Sequence, residues 1–315
     1  MESNPNAASF RLGLVGAGRM GQTHLRALRD SSDVAVVAVA EPVDALRNSA
    51  ATNYELKGYA SLENLLDAGG IDGVLIVTPS DSHVEVIRAV AEAKLPILCE
   101  KPCGVNAADT KLAQHCVAEA GVSLQIAYWR RFVPQLQAIR TRIVEGEFGD
   151  VLSLSCLQWD GEPPSAAFRA RSGGIFVDMG VHEFDQVRWL TGSNFTRLVA
   201  SASKMITDPE VSDDPDSVQV LAELESGATA FVSLGRHYAG GDMVSVEVFG
   251  TNDHVLETFL RPEDGEATQL EALRRQASAF ATYARGGTCA GATVEDAIAA
   301  LEAATNCAKP ARTAL

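Results

Sequence analysis

The sequence predicts an α/β domain built on a parallel sheet, followed by an α+β domain built on a large, mostly antiparallel open sheet. Up to about residue 126, continuously apolar runs such as 34–40 (VAVVAVA) and 73–77 (GVLIV) alternate with helical patterns, as strands covered on both faces by crossover helices must. Beyond that point strand-like segments follow one another with the helices set apart, the order expected of an α+β unit. The chain's 315 residues are enough for two such domains.

Residues 11–15 form the first expected strand, ending in GAGRMG, and 20–29 have helical spacing. The strand at 34–40, a helix from about 43, a short segment at 58–60 and a helix at 62–67 follow. Then come a strand at 73–77, a helix at 82–93, a strand at 96–99, a helix at 107–120 and a strand at 124–128. In the second part, helices are expected at 134–146, 176–190, 267–285 and 294–308. Strands are expected at 151–160, 198–204, 218–224, 229–234, 244–249 and 254–258. This sets the expected domains at 11–126 and 127–315, after a disordered tail over residues 1–10.

The composition is 46% hydrophobic and 21% charged, ordinary for a chain with a core and too apolar for disorder. A net charge of −15 repels phosphate backbones and anionic membranes, which excludes nucleic acid and membrane surfaces as expected partners. No apolar run reaches the ~20 residues a bilayer requires, and the start lacks the basic and apolar stretches of a signal peptide, so a cytoplasmic location is expected. Cys99, Cys103, Cys116, Cys156, Cys289 and Cys307 are scattered without a CxxC pair and read as reduced thiols.

Gly16, Gly18 and Gly21 make a GxGxxG between a strand and a helix, and Glu41 stands twenty residues after Gly21 at the end of the second strand. This is the dinucleotide fingerprint of a Rossmann domain: Gly16 for the tight turn, Gly18 for close approach of the pyrophosphate, Gly21 for helix–strand packing. Arg19 and Met20 open the helix whose N–H groups face phosphate. Glu41 would bind the ribose hydroxyls and repel a 2′-phosphate, favouring NAD, with NADP left open because Arg47 is close in sequence. Ligands of open parallel sheets bind beyond the carboxyl ends of strands. That makes Thr78, Pro79, Ser80 and His83, and then Glu100 and Lys101, further cofactor-facing candidates. Asp178 and His182 are four apart on an expected helix, hence on one face, and a carboxylate there could orient a proton-moving histidine.

GLVGAGRMG, VTPSDSH, CEKP and GGIFVDMGVHEFD, in this order and spacing, resemble the Gfo/Idh/MocA oxidoreductases, and TVEDAIAALEAA near the end is similar too. The resemblance implies a Rossmann domain followed by a substrate-binding domain whose open sheet often mediates oligomerisation, here as a homodimer or homotetramer. It implies hydride transfer between a nicotinamide and a carbinol or carbonyl carbon of a cyclic polyol or sugar, an inositol being favoured. By motif, Lys101, Asp178 and His182 are its catalytic residues. Tyr128–Phe132 resembles the segment after the Rossmann core of inositol dehydrogenases, with Trp129 in place of a methionine. Trp129, Arg130, Trp159, Asp160, Arg169 and Tyr238 are candidate substrate contacts. No metal is expected, because the cofactor carries the hydride chemistry. The rival readings are a non-catalytic dinucleotide sensor and a metal-assisted hydrolase or lyase using Asp178, His182 and Asp185.

Overall fold

In a computed structural model of the chain, residues 9–206, 214–264 and 266–309 are described. The chain divides into two units, one of residues up to 104, 108–129 and 270–294, the other of 105–107, 130–269 and 295 onward. The tail expected over 1–10 lies, for residues 1–8, outside the described residues.

The first unit is a six-stranded sheet of β1 (Phe10–Val15), β2 (Val34–Ala40), β3 (Lys57–Tyr59), β4 (Gly73–Ile76), β5 (Ile97–Cys99) and β6 (Leu124–Ile126). The order is β3-β2-β1-β4-β5-β6, with every pairing parallel. The direction of progression reverses between β1 and β4, the switch point where such sheets open a crevice. The crossovers run through α1 (Arg19–Leu28), α2 (Asp44–Tyr54), α3 (Leu62–Ala68), α4 (His83–Glu92) and α5 (Ala107–Ala120). Leu12, Leu14, Val39, Leu75 and Leu98 are wholly buried, as continuous apolar strands between two helical layers should be.

β1 starts at Phe10, inside the stretch expected to be tail. The Phe10 ring is buried and meets Phe280 edge to face at 5.8 Å, so the hydrophobic gain draws it into the sheet. Phe280 and its neighbours Ala277 and Ala281 belong to the core of this first unit. Residues 270–294 thus return to the first unit, which a single cut after residue 126 does not anticipate.

The second unit holds α6 (Pro134–Val144), β7 (Val151–Trp159), α7 (Ala166–Arg169), α8 (Val181–Thr191), β8 (Phe195–Ser203), β9 (Ser217–Leu224), β10 (Thr229–Gly235), β11 (Met243–Gly250) and β12 (His254–Leu260). α9 (Ala267–Ala284) and α10 (Val294–Ala308) close the chain. The sheet order is β12-β11-β7-β10-β9-β8. The β7–β10 pairing is parallel and the others antiparallel, so the mostly antiparallel expectation holds. Leu154, Cys156, Val220, Val232 and Val246 turn one face inward, and α8 packs on β7. On the opposite face Val199, Leu221 and Leu256 are exposed, joined into one row by the pairs Val199↔Leu221, Leu221↔Phe231, Phe231↔Ser155, Ser155↔Glu247 and Glu247↔Leu256. Among the described residues no helix is long and apolar enough to cross a membrane.

Candidate active site

In the first unit each glycine of the fingerprint answers to its own constraint. Gly16 has φ +100°, and a Cβ there would lie 2.7 Å from the Val77 carbonyl oxygen, so only glycine makes this turn. A Cβ on Gly21 would strike the Gly16 oxygen at 2.4 Å, whereas one on Gly18 would meet nothing within 4 Å. Gly18 thus leaves an open approach to the start of α1, where unpaired N–H groups and the positive dipole end suit a phosphate. Arg19 and Met20 form the first residues of that helix.

Glu41 is buried at the end of β2. Its Oε2 accepts the Ala17 N–H at 2.8 Å and its Oε1 the Val43 N–H at 3.0 Å. The carboxylate therefore fastens the glycine loop to β2 and keeps lone pairs for further donors. Arg47 donates to the Glu41 backbone oxygen at 2.8 Å and pairs with Asp44, so its guanidinium already has local partners. Thr78 follows β4, its hydroxyl accepting from Ser82 at 2.8 Å, and Pro79 and Ser80 lead into a tight turn over Ser80–Ser82.

Glu100 directly follows β5 and is fixed by His24 of α1, Nε2 to Oε1 at 2.7 Å. Its other oxygen accepts the Lys101 N–H at 3.1 Å. Burial pushes the Glu100 carboxyl up, but the hydrogen bond and charge of His24, with Lys101, outweigh it and leave the group below the usual carboxylate range. Glu100 is thus a support for the Lys101 segment. His83 departs from its expected role as a cofactor contact. Its ring is buried, with Nδ1 2.8 Å from the Pro102 carbonyl oxygen and Nε2 2.8 Å from that of Thr78, so both nitrogens are engaged with the protein.

In the second unit the expected helix over 176–190 begins as a wider π turn, Phe176–Gly180, and becomes α-helical at Val181. Gly173 and Gly174 at φ +83° and +77° let the chain enter this turn. Such π turns concentrate at functional sites. Asp178 lies in the turn and His182, mostly buried, in the first turn of α8. Asp178 Oδ2 is 3.3 Å from Nη1 of Arg236, and Asp214 Oδ2 is 2.9 Å from Nε of the same guanidinium. Asp214 also accepts the Ile175 N–H at 2.8 Å, tying Arg236 back to the turn. Asp160 belongs to this group. Burial raises its proton affinity, and the charges of Asp242 and Asp178 add to that, against the pull of Gln158 and Arg236.

The other expected substrate contacts separate. Arg130 is buried, bonded to Glu183 and to Gln158 at 2.6 Å, which commits it to holding α8 against β7. Trp159 ends β7, and Asp160, just beyond it, accepts from the Gln158 amide at 3.2 Å. The Trp159 indole donates to Ser233 at 3.0 Å, with Tyr238 edge to face at 6.4 Å. Trp129 is buried in the first unit and Arg169 is buried in α7. For the metal reading, Asp185 has both oxygens on Arg131, at 2.9 and 2.5 Å. Among the described residues no group of three His, Cys, Asp or Glu side chains is disposed to hold an ion. Burial pushes the Cys103 thiol up to about 12, the behaviour of an inert buried residue.

Sequence reasoning missed Arg236, Asp214 and His24. Arg236 carried a readable signal: Ala230, Val232 and Leu234 alternate on the buried face of β10, and period two places Arg236 in the same row. Asp214 and His24 carried none.

A glycine loop closed by a carboxylate at the end of β2, at the switch point of a parallel sheet, is the arrangement of a dinucleotide-binding domain. Residues 10–128 match the Gfo/Idh/MocA oxidoreductase family with its NAD-binding Rossmann fold, and residues 136–255 match that family's C-terminal domain. The chain belongs to the Gfo/Idh/MocA family and binds NAD. It is 50% identical over 299 residues to the rhizopine catabolism protein MocA of Rhizobium meliloti, covering 94% of each chain. It is 34% identical over 256 residues to an inositol 2-dehydrogenase of Rhizobium meliloti, covering 81% of this chain and 77% of the relative. The crystal structure of a myo-inositol dehydrogenase from Corynebacterium glutamicum superposes with a TM-score of 0.87 at 26% identity over 95% of both chains.

Proposed function

We propose that the protein transfers a hydride between NAD and a secondary carbinol carbon of a cyclic polyol or sugar, an inositol-type ring being favoured. The observation that carries this is the Asp178–Arg236–Asp214 group at the foot of the His182 helix, in a chain that also carries the NAD cradle and Lys101. Relatives named for inositol dehydrogenation support the ring class. When bound, NAD supplies the hydride acceptor. Glu41 binds the adenosine ribose hydroxyls, and the start of α1, from Gly18 through Gly21, binds the pyrophosphate. His182, neutral, takes the hydroxyl proton as the carbon is oxidised. Asp178, steadied by Arg236, orients His182 and stabilises its charged form, and Lys101 donates a hydrogen bond to the substrate oxygen. Asp160 and Arg169 contact the other ring hydroxyls. The enzyme is cytoplasmic and works as a homodimer or homotetramer. The sheet face that exposes Val199, Leu221 and Leu256 is the surface that a second copy would cover.

The test is a panel of inositol isomers, other polyols and sugars with NAD and NADP, followed at the absorbance of reduced nicotinamide. Turnover of at least one cyclic polyol, faster with NAD, is expected. Absence of turnover across the panel overturns the substrate class, and preference for NADP overturns the assignment of Glu41.

A further inference from the structure

The loop after β4 carries Thr78, and the loop after β5 carries Lys101 and Pro102. His83, the first residue of α4, stands between them. Its two ring nitrogens lie at the same 2.8 Å from two backbone carbonyl oxygens, Pro102 on one side and Thr78 on the other. A carbonyl oxygen only accepts, and a neutral imidazole has one N–H to give. The doubly protonated ring has two. With the side chain 1% exposed, solvent does not stand in for the missing donor. In the neutral ring, one of the two contacts is therefore a lone pair facing an oxygen.

We propose that His83 is a positioning residue whose ring clamps the cofactor loop after β4 to the lysine-bearing loop after β5, with both arms engaged only while both ring nitrogens carry protons. The charges that face the ring come from three places. Glu100, just after β5, and Asp81, in the turn before α4, favour the charged ring. The start of α4 opposes it, where a positive charge meets the positive dipole end. His24 holds Glu100 in place from α1. Burial is the largest influence and pushes the ring below the ordinary histidine value of 6.5, with the two carbonyls pulling back. The second arm thus closes on the acid side of neutrality and opens as the pH rises. Opening it frees either Thr78 in the cofactor loop or the residue that follows Lys101, so cofactor binding loosens with it.

The proton count is read directly on the full-length wild-type protein. Long-range proton–nitrogen NMR of its histidine rings between pH 5 and 8.5 is expected to show two N–H groups on His83 at the acid end and one at the alkaline end. The signal is assigned by its loss in His83→Gln. NADH titration by fluorescence is the second readout. The wild-type Kd should rise about tenfold across that range, the scale of one hydrogen bond to a charged group. His83→Gln carries its N–H donors on a single nitrogen at every pH and turns an acceptor oxygen to the other side, so its Kd should stay near the wild type's alkaline value. A ring that keeps one proton throughout, or two throughout, overturns the proposal, as does a His83→Gln protein with the wild type's pH dependence. Neither readout needs a turned-over substrate, so failure of the polyol assignment leaves this test standing.

Discussion

In the first unit, the candidate dinucleotide cradle is made mostly of backbone amides and one carboxylate. They are held by turns whose residues are close together in the chain. In the second unit, the chemistry is held by side-chain ions that meet from far apart: Arg130 with Glu183, Arg131 with Asp185, Arg236 with Asp178 and Asp214. A backbone cradle is set by the fold, and most single side-chain changes leave it in place. A buried ion network has no such tolerance, because removing one member strands its partner in a low dielectric. The contrast teaches where this protein keeps its fragility: beneath α8, in buried charges that depend on one another.

The sharpest way to break that contrast is Arg130→Met. Burial already raises the proton affinity of Glu183, with Arg130 holding it down, so the variant leaves an uncompensated buried acid. A loss of about 3–5 kcal/mol in denaturant unfolding is expected. A loss within 0.5 kcal/mol would show that the network is not what holds α8. Next in size is a pair that separates binding from chemistry. His182→Ala and Lys101→Met should each lower kcat on the true substrate by at least ~100-fold, while NADH titrations stay near wild type. Retention of kcat in both variants would remove the assigned catalytic roles.

The smallest effect sharpens the buried pair of the first unit, His24 with Glu100. His24→Ala strips Glu100 of its partner and should cost about 1–3 kcal/mol near neutral pH. The sign follows from the depressed Glu100 value. A carboxylate held below its ordinary 4.5 contributes stability that is present above that pH and lost as pH falls through the folded value. The gap between wild type and variant in thermal melts should therefore close below about pH 4.5, and a gap that persisted there would place the stabilisation elsewhere.

The same contrast decides what could be read in the sequence. The strands of the parallel sheet were legible because burial on both faces writes itself as unbroken apolar runs. The glycine loop and Glu41 were legible because a turn imposes its demands on neighbouring residues. His83 was misread for the same reason: closeness to the cofactor loop says nothing about which way a ring points, and this one turns inward to two carbonyls. Arg130 looked like a substrate contact because its partner Glu183 is 53 residues away, a distance at which local pattern carries no information. Asp178 was placed on a regular helix, since the sequence signals a helix there but not the extra residue that widens its first turn. The return of residues 270–294 to the first unit was hidden too, because an amphipathic helix does not say which core it covers.

Glu41 does two jobs with one carboxylate. In the proposed function it binds a ribose hydroxyl, and it also ties down the glycine loop through the Ala17 amide at 2.8 Å. A lineage drifting toward the phosphorylated cofactor would have to give up this side chain, and in the same step would slacken the loop that grips the pyrophosphate. The intermediate would bind neither cofactor well. Selection could cross that valley only by first installing another acceptor for the Ala17 amide. The choice of redox pool is therefore guarded by the mechanics of a loop as well as by the repulsion of like charges.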